Sequence, residues 1–198
     1  LLIVLHSPVL RGVFLIRTLN RLGTRVMQPM LPLFVQQLVL NSDRLATITG
    51  VVAGSGALGA AAGSVFLGRA SDRLGHRKVL VVCTFGMGLL YLPLALVVTP
   101  FQLGAFQVAA GFMMGGALAS IAALLASRVP EGRHGAVYGV NTTIVAGANA
   151  LAPMLGASIA VWWGLRAIFV VAAGLFAVGG LFALWVMPSS APAACRSK

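Results

Sequence analysis

The stretch Gly68-Arg69-Ala70-Ser71-Asp72-Arg73-Leu74-Gly75-His76-Arg77-Lys78 stands between two long apolar runs, residues 46–67 and 79–98. Each run is long enough for a helix to cross the ~30 Å of hydrocarbon in a bilayer, which takes ~20 mostly apolar residues. The charged stretch therefore reads as a joint between two membrane spans. Its bases mark the inner side of the membrane by the positive-inside bias. Its glycines suit a tight reversal in which φ is positive.

Working outward, similar polar breaks recur around Asn41 to Arg44, Thr99 to Gln102, Arg128 to His134 and Trp163 to Arg166. Six spans follow, at 11–39, 46–67, 79–98, 102–127, 136–160 and 165–187, and together they make one all-α membrane unit over residues 1–198. Composition agrees: 59% of the chain is hydrophobic and 9% is charged, against about 25% charged in a soluble domain. The net charge of +11 raises the question of nucleic acid, and its placement answers it. Arg69, Arg73, Arg77 and Lys78 share one joint, Arg128 and Arg133 another, and Arg196 and Lys198 the tail, whereas the alternate joints hold only Arg44 and Arg166. This is a topology signal with both ends cytoplasmic, and it implies no nucleic-acid partner. Anionic lipid headgroups are the natural counterpart of such bases.

The first span is polar on one side. Arg17, Asn20, Arg21, Thr24, Arg25 and Gln28 recur at three- and four-residue steps and fall within an arc of about 140° at ~100° per residue. Charge at membrane depth normally faces a bundle interior or a wet cavity, so these residues are candidates to line a substrate path. The plainer alternative is that Arg17 and Arg21 snorkel to the surface. Asn141 and Asn149 are further polar residues inside spans and join the cavity candidates, with Phe112, Met113 and Met114 as an adaptable apolar wall.

Other patterns carry less. Gly54, Gly56 and Gly59 spell G-x-G-x-x-G, but a dinucleotide fingerprint needs a strand before it and a helix after it, and here it lies inside one apolar span. Gly59 with Gly63, Gly111 with Gly115, and Gly135 with Gly139 are better read as close helix contacts. Ser55 between glycines invites a nucleophile reading, but His6, His76 and His134 lie at or beyond the span ends, so none can activate it at mid-depth. There is no cluster with metal-ligand spacing, so no metal and no cofactor is expected, nor an enzyme. Cys83 and Cys195 read as free thiols. The chain opens at Leu1 without a signal-peptide pattern, which suggests a fragment or a processed segment.

The 68–78 joint resembles the major facilitator signature G-x-L-a-D-R-x-G-R-K, which follows the second helix of each six-helix half. It matches at Gly68, Asp72, Arg73, Gly75, Arg77 and Lys78, with Ala70 in place of the usual Leu and His76 in place of one base. Met27-Gln28-Pro29-Met30-Leu31-Pro32 resembles the end of the first helix of a half in the drug:proton antiporter branch. The stretch from Gly147 to Gly156 resembles the repeat counterpart of the proline-and-glycine motif of the fifth helix, where Pro153 invites a kink and Gly156 gives room. Arg128 to Gly135 is similar to the joint between the fourth and fifth helices of a half, and Gly164 to Phe169 to the start of its last helix. The order resembles that of helices seven to twelve of a twelve-helix carrier, and the nearest likeness is to bacterial multidrug efflux proteins.

The resemblance implies one half of a major facilitator fold in a bacterial inner membrane, exporting drugs or small amphiphiles by proton-coupled alternating access. It implies an N-terminal six-helix half as partner, and Asp72 with Arg73 as a conformational latch. A carrier of a small metabolite and a non-transporting scaffold are the alternatives. The three acids, Asp43, Asp72 and Glu131, all fall at span ends or joints. The proton-binding carboxylate is therefore expected in the missing half, with Arg17, Arg21 or Arg25 as counter-charges.

Overall fold

The computed structural model describes residues 8–38, 44–128 and 134–186. The described residues contain helices and no strand: α1 (Pro8–Met27), a 3-10 turn (Gln28–Met30), α2 (Leu31–Leu38), α3 (Leu45–Leu74), α4 (His76–Leu94), α5 (Pro100–Arg128), α6 (His134–Trp163) and α7 (Leu165–Val186). With α1, the turn and α2 counted as one broken span, the chain makes six passes. Helices α3 to α7 are each long and apolar enough to cross a membrane. Asp43, Glu131, Arg133, His6, the tail bases Arg196 and Lys198, and Cys195, all singled out in the sequence, lie outside the described residues.

Three boundaries differ from the sequence expectation, each for a backbone reason. The first span, expected to run unbroken over 11–39, is interrupted at Gln28–Met30. Pro29 and Pro32 lack the N–H groups that would continue the α-helical ladder, and Pro32 is tolerated because it falls in the first turn of α2. The 68–78 joint is not an eleven-residue loop, since α3 runs on through Leu74 and α4 begins at His76. Arg69 and Arg73 are good helix formers, so the charged end stays helical beyond the apolar part. Only Gly75 leaves the helix, with φ 96°, a left-handed value that a side chain would disfavour. Gly164, φ 83°, makes the same kind of break between α6 and α7. The third span ends at Leu94 and not at 98, just after Pro93.

Packing follows the small residues. Helices α3 and α5 meet backbone to backbone. A Cβ on Gly59 would collide with the carbonyl of Val108 and one on Gly63 with that of Phe112, and across the same seam Gly111 and Gly115 lie on the carbonyls of Gly56 and Ala60. Such approach lets dispersion and Cα–H contacts form between helices in lipid, where no hydrophobic force drives association. The third expected pair behaves differently, because Gly135 and Gly139 have nothing within 4 Å.

A second seam joins α1 to α6 and α7. Gly156 lies against the Val26 carbonyl, where a Cβ would fall 2.5 Å from the oxygen, and Gly23 lies under the ring of Phe176. Phe176 in turn tilts onto Tyr91 of α4 with ring centroids 5.0 Å apart, and Phe34 of α2 meets Phe169 of α7 edge-on at 4.9 Å. Helices α1, α4, α5 and α7 thus share the core, whereas α3 and α6 bury only 17% of their most apolar stretch, against 44% for α4, α5 and α7.

Candidate functional site

The polar side of α1 opens on a cavity of about 740 Å³. Arg21, Thr24, Arg25 and Gln28 line it from α1, Thr49 and Ala53 from α3, Tyr91 from α4, Gln107 and Met114 from α5, and Asn149 and Pro153 from α6. Gln28, Ala53 and Pro153 are exposed, so the cavity opens on a flank of the bundle. A smaller cavity of about 230 Å³ adjoins it toward the Gly75 end, lined by Arg17, Asn20 and Leu118 and sharing Arg21, Thr24, Met87 and Met114 with the first. Four-residue steps on one helix face put Arg17, Arg21 and Arg25 in a column, each ~6 Å further along the axis.

Hydrogen bonds hold parts of this wall. The Arg21 Nε donates to Asn149 Oδ1 at 2.9 Å, joining α1 to α6 across 128 positions of sequence. Asn20, 8% exposed, donates through Nδ2 to Thr84 Oγ1 at 3.4 Å. Thr24 returns its hydroxyl to the carbonyls of Asn20 and Arg21 within its own helix, and Arg25 Nη1 donates to Gln28 Oε1. Other buried polar atoms find no partner among the described residues: Arg17 Nε, Asn20 Oδ1 and Thr49 Oγ1 at the cavities, and Arg77 Nε, Asn141 Oδ1 and Ser120 Oγ elsewhere. Leaving such groups unmet costs free energy.

The sequence candidates divide accordingly. Arg17, Asn20, Arg21, Thr24, Gln28 and Asn149 are on cavity walls. Asn141 is buried, 7% exposed, and lines neither cavity. Met114 is on the wall, whereas Met113 packs beside Gly86 and the Phe112 carbonyl abuts Gly63. Pro153 is on the wall, with α6 continuing as helix through it, and Gly156 makes the α1 contact. Sequence reasoning passed over Thr49, Tyr91 and Gln107. Gln107 had a readable signal, as a lone amide in the apolar run from Leu103 to Ala119. Tyr91 had none, because an aromatic in a span is ordinary packing.

At the other candidate region, the end of the bundle near Gly75, the charged residues separate into two kinds. Arg77 reaches across to α7, where its Nη2 donates to the Leu184 carbonyl at 2.6 Å. A cation there meets the partial negative charge of a helix C-terminus. Asp72 is exposed, and its ion pair is with His76, at 4.0 Å, not with Arg73. The His76 Nδ1 also lies 3.1 Å from Ser71 Oγ. Arg69, Arg73 and Lys78 are exposed. Gly68 remains helical, 3.5 Å from the Ala119 side chain when given a Cβ.

Ser55 and the glycines around it are placed within helix α3. Ser55 donates to the carbonyls of Val52 and Gly104, at 2.8 and 3.3 Å, so its hydroxyl ties α3 to α5. Gly54, Gly56 and Gly59 are all within helix α3. Among the described residues no group of three His, Cys, Asp or Glu is placed to hold a metal ion, and Cys83 is a buried free thiol.

A family model described as Major Facilitator Superfamily matches residues 13–197. Multidrug resistance protein MdtG of Klebsiella pneumoniae is 29% identical over 171 residues, which are 86% of this chain and 42% of that protein. MdtG of Rahnella sp. is 29% identical over 174 residues, 88% of this chain and 42% of its own length. This chain thus spans about 42% of the curated relatives it matches. Among solved structures, the human organic anion transporter MFSD10 (TETRAN) superposes with a TM-score of 0.73 at 22% identity, over 90% of this chain and 46% of that one. That likeness is one of fold.

Proposed function

This chain belongs to the major facilitator superfamily, and from that premise we propose that it is the C-terminal six-helix half of a proton-coupled exporter of drugs or other small amphiphiles. The observation that carries the proposal is the polar face of α1, which meets Asn149, Gln107 and Tyr91 around one cavity instead of snorkelling outward. Its relatives of similar sequence are named multidrug resistance proteins, which favours drugs over a single metabolite. The protein is then a carrier and not an enzyme.

In this reading the N-terminal half covers the open flank of the cavity, and substrate binds near the midplane between the halves, as in carriers built from repeats. The lightly buried α3 and α6 stand beside that flank. Asp72 is the one carboxylate among the described residues, and it lies at the bundle end. With Asp43 and Glu131 falling at span ends in the sequence, this reading assigns the proton-binding acid to the other half. The Gly75 end, with its four bases, faces the cytoplasm of a bacterial inner membrane, and both ends of the chain lie on that side. Arg77 ties α4 to α7 within this half, while exposed Asp72 and Arg73 engage the other half in one state of the cycle.

The test is accumulation of a panel of lipophilic drugs, of either charge and of none, by inverted vesicles holding the intact transporter. Uptake above the level of empty vesicles that collapses when a protonophore dissipates the gradient is the expected result. Uptake no different from empty vesicles, or indifferent to the gradient, removes the proton-coupled reading.

A further inference from the structure

We propose that the charged end of the substrate is an anion, a carboxylate, sulfonate or phosphonate, held by Arg21 between Arg25 and Arg17. The inference rests on the cavity being the substrate site and goes on to name the class of substrate. Three arginines form the column along α1, and among the described residues no Asp or Glu lines either cavity. None of the three forms an ion pair among the described residues, where Asp72 pairs with His76 at the far joint. A cation at membrane depth without a counter-charge is costly. An anionic ligand supplies that charge only while it is bound, which suits a site that must fill and empty.

The geometry assigns the central role to Arg21. It alone of the three lines both cavities, and its Nε is held by Asn149 Oδ1 at 2.9 Å. That bond sets the plane of the guanidinium and leaves four N–H groups on Nη1 and Nη2, a fork suited to two oxygens of one anion. Arg25, braced by Gln28, adds charge on one side. On the other side Arg17 Nε and Asn20 Oδ1 are buried without partners among the described residues, and Asn20 is more than nine-tenths buried on the wall of the smaller cavity. A ligand or its water reaching toward them satisfies a donor and an acceptor that the protein leaves open. Met87, Met114, Tyr91 and Leu118 provide the apolar surface for the rest of the molecule. The column thus offers successive anion positions through the wall, from the smaller cavity to the larger one.

The experiment uses the intact transporter in lipid nanodiscs and equilibrium dialysis of two probes with the same ring, naphthalene-2-sulfonate and 2-naphthyltrimethylammonium. Wild type is expected to bind the sulfonate at least about 10-fold more tightly, and Arg21→Gln to lose about 10- to 100-fold of that affinity, the scale of a charge-assisted fork. Arg21→Lys keeps the preference at reduced affinity, which guards against a variant that simply misfolds. Arg69→Gln, exposed and remote from both cavities, leaves affinity unchanged. Equal affinity for the two probes, preference for the ammonium, no sulfonate binding by wild type, or a sulfonate affinity untouched by Arg21→Gln overturns the inference. The last two are the results expected if an acid of the other half already neutralises Arg21. Gradient-driven drug uptake without sulfonate preference sinks this inference alone. Sulfonate preference without any gradient-driven uptake sinks the proposed function and leaves the anion site standing.

Discussion

Replacing Gly63 by Ala tests whether the α3–α5 seam is as close as the structure has it. The added Cβ would fall 2.6 Å from the carbonyl carbon of Phe112 and 2.8 Å from its Cα, where carbon atoms pack best at about 3.5–4.0 Å. The helices must separate by about 1 Å, and the neighbour is backbone, which cannot turn aside as a side chain would. Overpacking of this kind costs about 1–3 kcal/mol, and the loss of fit extends to Gly59, Gly111 and Gly115 along the same seam. Gly54→Ala is the matched control, on the same helix with nothing within 4 Å. There the substitution meets no atom and gains up to about 1 kcal/mol of helix propensity. The assay is reversible unfolding in mixed micelles by SDS titration, followed by circular dichroism. Gly63→Ala is expected to lose 1–3 kcal/mol (~1–3 by the overpacking scale) and Gly54→Ala to be neutral or slightly stabilised. If the two variants agree within about 0.5 kcal/mol, the scatter of ordinary surface changes, the close-contact argument fails.

Four further outcomes are expected. In a double-mutant cycle of Arg21→Gln with Asn149→Ala, unfolding free energies yield a coupling of about 1.5–3 kcal/mol, the range for a hydrogen bond to a charged group; a coupling near zero removes the α1–α6 tie. Arg77→Ala loses its hold on the Leu184 carbonyl and destabilises by about 0.3–1 kcal/mol, while Arg73→Ala leaves unfolding unchanged; equal effects would deny Arg77 its special position. Asp72→Asn in the intact transporter slows transport and shifts the balance of inward- and outward-facing states seen by cysteine accessibility, and an unaltered rate and balance would end its role as a latch. Ser55→Ala retains transport, losing only a hydroxyl that bridges to Gly104; complete inactivation in a folded variant would reopen the nucleophile reading.

The span pattern was legible because lipid imposes length and apolarity on each crossing, and five of six spans appear as single helices close to where hydropathy puts them. The first span escaped because its own prolines act through missing N–H groups, a local rule that a count of apolar residues does not register. The joint at 68–78 is legible from its charges but its helical extent is not, since polar residues end a span without ending a helix. Gly59, Gly63, Gly111 and Gly115 were correctly grouped by spacing, yet the same spacing at Gly135 and Gly139 meets nothing. A small residue permits a close approach; it does not say which helix approaches.

The cavity divides along the same line. The amphipathic face of α1 follows from helical periodicity alone, and Arg17, Asn20, Arg21, Thr24 and Gln28 are each on the wall of one or both cavities. Their partners come from sequence positions far away: Asn149 reaches Arg21 from 128 residues on, Thr84 meets Asn20 from 64, and Tyr91, Thr49 and Gln107 close the wall from three other helices. By itself the sequence determined the number of crossings, the polar face and the charged joint, because these depend on local composition and period. Only the tertiary structure decided which asparagine braces Arg21, which glycines touch and where Arg77 ends, because each of those turns on the rotation and separation of packed helices, which nearest-neighbour chemistry along the chain does not encode.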